Sequence, residues 1–339
     1  MDFLNNFFLP PSADHLHLVR YLILLIYFIH IPFISLLIGG LFFSVFFRIL
    51  AGNRPGNRYW QISRDFIETL VFRKTAGIFL GVLPLLVLIF IEGQVFYDAN
   101  ISVVLFLSYA TVLISLGISL TYFYQYTYRM AEMYPFAQLG SGATALLFLI
   151  LGYFIFSVNS AVILDPGRWA VVDNPRDFLF SWNVIARFLN FLTAAFAVSG
   201  IAMIFFFFNW KESRKKTEKE YADFLKKTCG GIGLGFTLLQ PVLILWNLIT
   251  LPDPSLNISV FALTVFALFI ILGIALLLYR LLKNDRVQLG TPVFILFIIV
   301  FVIMIVNDHE AREEAIDHHT RFLTVRAEEV SAEIEQKRE

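Results

Sequence analysis

Residues 16–47 read LHLVRYLILLIYFIHIPFISLLIGGLFFSVFF, and from Tyr21 to Phe47 no residue carries a full charge. A run of about 20 apolar residues is enough for a helix to cross the hydrocarbon core of a bilayer. This run is longer, which predicts a tilted helix or one that extends past the headgroups. One ionisable side chain, His30, sits in its middle. Such a group is costly inside a membrane, so its first reading is functional.

The rest of the chain repeats the pattern. Of 339 residues, 58% are hydrophobic, 17% aromatic and only 15% charged, against roughly 25% charged in soluble domains. Mean hydropathy is +0.74. Apolar runs predict eight membrane helices, over 18–48, 76–97, 102–126, 140–164, 184–209, 229–250, 257–282 and 289–307. Strands of a membrane barrel need only about 10 residues, so these lengths point to an all-α polytopic bundle.

Lys and Arg concentrate in alternate loops. The loops after spans 1, 3, 5 and 7 hold, among others, Arg54, Arg58, Arg73, Arg129, Arg214, Lys215, Lys216, Arg280 and Lys283. The opposite short loops hold only Arg168 and Arg176. Positive loops stay in the cytoplasm, so both termini are expected outside it, in a bacterial inner membrane. The first residues, MDFLNNFFLPPSADHLH, show no cleavable signal pattern.

Cys229 is the single cysteine. It excludes an internal disulfide, a cysteine-held cluster and a covalently attached haem, and reads as a small apolar residue. With 26 basic and 26 acidic residues the net charge is zero, and nothing suggests nucleic acid.

No linker divides the spans, so residues 1–307 read as one membrane domain. From Asp308 the tail is highly charged, yet Ile316, Leu323 and Val330 recur seven apart, with Ala327 and Ile334 nearby on the same stripe. That predicts an amphipathic helix over 308–339. It is expected outside the membrane, docked on a partner, laid on the lipid surface or simply solvated.

Placed by depth, the polar residues inside the spans segregate. His30 lies 12 residues from the outer end of span 1, about 18 Å down. Glu92, Gln94, Asn159, Asn183, Arg187, Asn190, Gln240 and Asn247 all fall in the outer half. The inner half reads as nearly pure Leu, Ile, Phe and Val. The pattern predicts an outer-leaflet site. Each member also has a structural reading: a core histidine, an interfacial acid, a snorkelling arginine, or amides that glue helices together.

Four stretches carry a resemblance. YFIHIPFISLLIGG (27–40) and GIFLGVLPLLVLIFIEGQ (77–94) resemble the first two helices of subunit I of cytochrome bd-type quinol oxidases. There a histidine ligates a high-spin haem, and a functional glutamate is followed closely by a glutamine. GYFIFSVNSAVILDP (152–166) resembles that subunit's fourth-helix end, and ARFLNFLTAAFAVSGIAMIF (186–205) its next helix. The resemblance covers roughly residues 15–250.

It implies a membrane redox subunit with one or two b-type haems. His30 would be the iron ligand and Glu92 the acid near the iron or a proton carrier. Gln94, Asn159, Asn190 and Arg187 would line the haem site, Arg187 as a propionate partner. Electrons would come from other membrane or periplasmic redox subunits, a c-type cytochrome among them, or from quinone, with oxygen one acceptor the resemblance allows. The chain also departs from the family. Asn190 stands where a low-spin haem histidine is expected, the loop TLPDPSLN (250–257) is far shorter than the family's quinol loop, and the family's ninth helix has no counterpart. A haem-free anchor or assembly subunit of a respiratory complex is the alternative. A transporter is disfavoured by the absence of an evident inverted repeat.

Overall fold

The computed structural model describes residues 13–52, 56–71, 74–96, 103–128, 135–169, 179–210 and 218–338. Arg54, Arg73, Arg129, Arg176, Arg214, Lys215 and Lys216 lie outside these residues, as do the side chains of His17 and of the tail positions Ala327, Val330 and Ile334.

The described residues form nine helices and no strand. They are α1 (Ala13–Ala51), α2 (Arg58–Leu70), α3 (Lys74–Val95), α4 (Val103–Thr127), α5 (Pro135–Ile163), α6 (Trp182–Trp210), α7 (Lys219–Ile249), α8 (Ile258–Lys283) and α9 (Gly290–Arg338). All but α2 are long and apolar enough to cross a membrane. The protein is an all-α polytopic bundle, as the apolar runs predict.

α1 is the hub, in contact with α2, α3, α5, α6 and α9. Lipid tails are as apolar as leucine, so association of these helices depends on close packing and polar contacts. Close packing is visible where α1 crosses α6. A β-carbon on Gly39 would lie 2.3 Å from the Ala195 carbonyl oxygen, and one on Gly200 would lie 2.6 Å from the Cys229 carbonyl oxygen on α7. Cys229 is fully buried and serves this packing. By contrast α7 and α8 turn much of their surface outward, exposing Leu238, Val242, Phe266 and Phe269 among others.

Three features go beyond the apolar pattern. First, the loop after span 1 contains α2. Asn57 caps it by accepting from the Trp60 N–H at 2.8 Å. Ile62, Phe66, Ile67 and Leu70 face the bundle, while Arg64 and Glu68 pair at 2.7 Å on the open face.

Second, α3 and α6 each contain a π-helical turn, at Gly77–Val82 and Phe205–Trp210. Such turns cluster at functional sites.

Third, α9 does not end at Asn307. The helix runs unbroken from the span into the tail, and Ala311, Arg312, Ala315, Ile316, Thr320 and Leu323 are buried against the bundle. The expected boundary at 307/308 is therefore not a structural break, and the amphipathic stripe covers this chain's own helices as far as Leu323.

The glycine crossings give a stability prediction. Gly39→Leu should lower the melting temperature of the detergent-solubilised protein, since overpacking costs about 1–3 kcal/mol or more when the backbone is hit. Gly231→Leu, with nothing within 4 Å of its β-carbon, should leave it nearly unchanged.

Candidate functional site

His30 is 1% exposed, on α1. Its Nδ1 donates to the carbonyl of Leu80 at 3.3 Å. Leu80 belongs to the π turn of α3, and four residues on stands Pro84. Proline has no N–H to return to that carbonyl in the α-helical register. The bond fixes the neutral tautomer with its hydrogen on Nδ1. The lone pair is then on Nε2, which is buried and has no hydrogen-bond partner. A backbone carbonyl on one ring nitrogen and a free lone pair on the other is how a metal-ligating histidine is normally held. Phe156 of α5 packs beside the ring, 6.1 Å between centroids.

Glu92 is fully buried, and so is its partner. Arg312, from the tail stretch of α9, forms a two-pronged ion pair with both Glu92 oxygens. The outer Nη2–Oε2 contact is 2.7 Å. Arg312 also donates to the Tyr27 hydroxyl on α1 and lies 5.7 Å from the centre of the Phe96 ring. Glu92 is thus not a free acid; its charge is matched. Gln94 is half-buried and, two residues on, points about 200° away from Glu92 around the helix.

Arg187 of α6 pairs with Asp308 of α9, and its Nε and Nη2 are buried without a partner. Beside it, Asn190, Gln240, Asn247, Asn307 and Asp308 line a cavity of about 120 Å³ between α6, α7 and α9. Ile31 and Tyr153 close its far wall. Tyr153 stacks on Phe191, and both belong to the partition of aromatic rings between this cavity and His30. Asn159 is 1% exposed with Oδ1 unpartnered, on α5. The sequence-derived residues therefore fall into an isolated imidazole at His30, a sealed ion pair at Glu92, and a polar cavity holding Arg187 and Asn190.

The histidines in the tail stretch of α9 differ in their surroundings. His318 is exposed. His319, however, makes a 3.0 Å contact between Nε2 and the Val95 carbonyl, stacks on Phe96 and meets Trp169 edge to face. His309 is half-buried, with Nδ1 buried and unpartnered.

Sequence reasoning missed the partners: Arg312, Asp308 and Tyr27. It also missed polar groups at the opposite end. There Ser44, Ser63, Tyr124 and Tyr128 join their hydroxyls, with Ser44 donating to the Ser63 carbonyl at 2.8 Å. Arg48, 2% exposed, donates to Gln138 at 2.8 Å and lies over Trp60. That end is not purely apolar.

The fit of a haem rests on His30. A buried neutral imidazole with an unpartnered Nε2 suits one axial bond to iron. No group of three His, Cys, Asp or Glu side chains is placed to hold a bare metal ion among the described residues. The cavity beside Asn190, at about 120 Å³, is below the range of about 300–1,000 Å³ typical of ligand pockets. Comparison of the chain with family models, curated proteins and solved structures gives no match.

Removing one partner of a buried ion pair strands the other charge, at a cost of about 3–5 kcal/mol. Glu92→Gln or Arg312→Gln alone should therefore lower the melting temperature sharply. The double variant should recover much of the loss, and additive losses in this cycle would break the assignment of the pair.

Proposed function

We propose that the protein is a membrane redox subunit that holds one b-type haem on His30, in the half of the membrane facing away from the cytoplasm. The observation that carries this reading is the ring of His30: pinned through Nδ1, free at Nε2, and buried in a helix with no Asp, Glu, Lys or Arg between Arg20 and Arg48. Such a haem would supply one-electron transfer and, where its iron binds oxygen, oxygen chemistry. His30 would be the axial ligand, and the Leu80 carbonyl would raise its basicity and fix its orientation. Phe156 would pack against the site and exclude water. Arg187 retains two N–H donors beyond its bond to Asp308 and is the cation available to a propionate. Glu92 enters differently from the expectation: it anchors Arg312 and so holds α9 over the site, and it is not a free proton carrier. Electrons would reach the site from a partner, either a c-type cytochrome or a membrane quinone, in a bacterial inner membrane with both termini outside.

A second reading, a haem-free anchor subunit of a larger complex, is favoured by the close packing of Tyr27, Phe156 and Tyr153 around His30.

Visible spectroscopy separates the two. The protein purified from haem-supplied cells is expected to show a Soret band and, after dithionite, the bands of a b-type haem, shifted by CO if the iron is five-coordinate. His30→Ala should abolish them, while leaving the helical circular dichroism intact. A folded wild-type protein without a Soret band would establish the anchor reading.

A further inference from the structure

The cavity between α6, α7 and α9 has an unusual lining for the interior of a membrane bundle. Asn190, Asn247 and Asn307 each present a buried Oδ1 without a partner, and Arg187 presents a buried Nε and Nη2 without partners. Two of the lining residues, Gln240 and Asn307, are more than nine-tenths buried. A buried polar atom left without a partner is destabilising. Filling the space with a lipid chain would leave all of them unpartnered. Together these atoms define a built polar site.

The chemistry of an occupant follows from charge and from donor count. Arg187 and Asp308 neutralise each other, so neither a cation nor an anion is called for. Amides need both donors and acceptors opposite them, in whichever orientation they sit, and water is both. A cavity of about 120 Å³ has room for about four waters at ~30 Å³ each, with two to four polar partners apiece. We infer that this cavity is a hydrated chamber, holding a cluster of ordered waters that bridge Arg187, Asn190, Asn247 and Asn307. The chamber solvates the Arg187–Asp308 pair and opens it to proton exchange with the aqueous phase. The Glu92–Arg312 pair, one turn further along α9 and with both side chains at most 4% exposed, is dry by comparison. The inference stands without any haem at His30.

Methionine supplies an internal reporter. Met304 lines the chamber, whereas Met203 on α6 is fully buried and lies in the apolar core. Hydroxyl radicals made by a short X-ray pulse label side chains beside ordered water, and lipid does not supply them. In lipid nanodiscs in H₂¹⁸O, Met304 is expected to gain labelled oxygen roughly tenfold faster than Met203, as befits a residue touching bound water. Asn190→Leu combined with Asn307→Leu should bring the Met304 rate down toward that of Met203. Equal rates for the two methionines in the wild-type protein would overturn the proposal without recourse to any variant. So would a fast Met304 rate that the folded double variant leaves unchanged, since the label would then come from elsewhere.

Discussion

Everything at the His30 end of the bundle is organised around one constraint: a carboxylate buried at Glu92 must be matched. In a low-dielectric interior an unpaired charge costs several kcal/mol. The match comes from Arg312, 220 residues further along the chain. Once Arg312 is committed, the register of α9 is committed with it. Asp308, one turn earlier, meets Arg187 on α6. Asn307 donates to Thr264 on α8 at 3.3 Å. Glu313 pairs with Arg20 on α1 at 2.8 Å, and Glu314 accepts from Asn257 at 3.2 Å. A stretch dense enough in charge to read as solvated is thereby drawn onto the bundle, and the helix of span 8 continues without a break.

A second device works at a smaller scale. Pro84 costs α3 a backbone hydrogen bond, and the helix answers with a π turn at Gly77–Val82. The Leu80 carbonyl, with no α-helical donor at Pro84, accepts from the imidazole of His30 on another helix. Neither residue alone explains the arrangement. Without that carbonyl the ring would have no fixed tautomer. A local feature of α3 thus becomes the positioning element for His30 on α1.

These two devices explain what was legible in the sequence. Hydropathy and length are enough to find eight spans, because the bilayer imposes a fixed thickness. They also flag His30, Glu92 and Arg187, because polar groups among apolar neighbours stand out. The partners do not stand out. Arg312 and Asp308 sit among other charges, where spacing cannot distinguish a face that meets water from one that meets an opposite charge. The apolar stripe through Ile316 and Leu323 was legible as a stripe, but what it covers was not. α2 carried a readable signal in its Asn57 cap and in Ile62, Phe66 and Ile67; its thirteen residues are too short for a membrane window and so were passed over. The polar end at Ser44 and Ser63 was hidden because serine in a helix can bond its own backbone and draws no attention.

Asn190 shows how the two halves of the site divide. An asparagine there cannot donate a lone pair to iron as a histidine would. It can bridge to water, and its neighbours Gln240 and Asn247 on α7 and Asn307 on α9 converge to do the same. Four amides converging with one neutral ion pair make a small polar space of the right character for solvent. The aromatic partition of Tyr153, Phe156 and Phe191 keeps that space from His30. A wet chamber raises the local dielectric and weakens every charge interaction it touches, while a dry imidazole keeps its lone pair for one strong bond. Placing both within the same few turns of α1 requires such a wall. Its rings are therefore as much a part of the site's chemistry as the polar groups they separate.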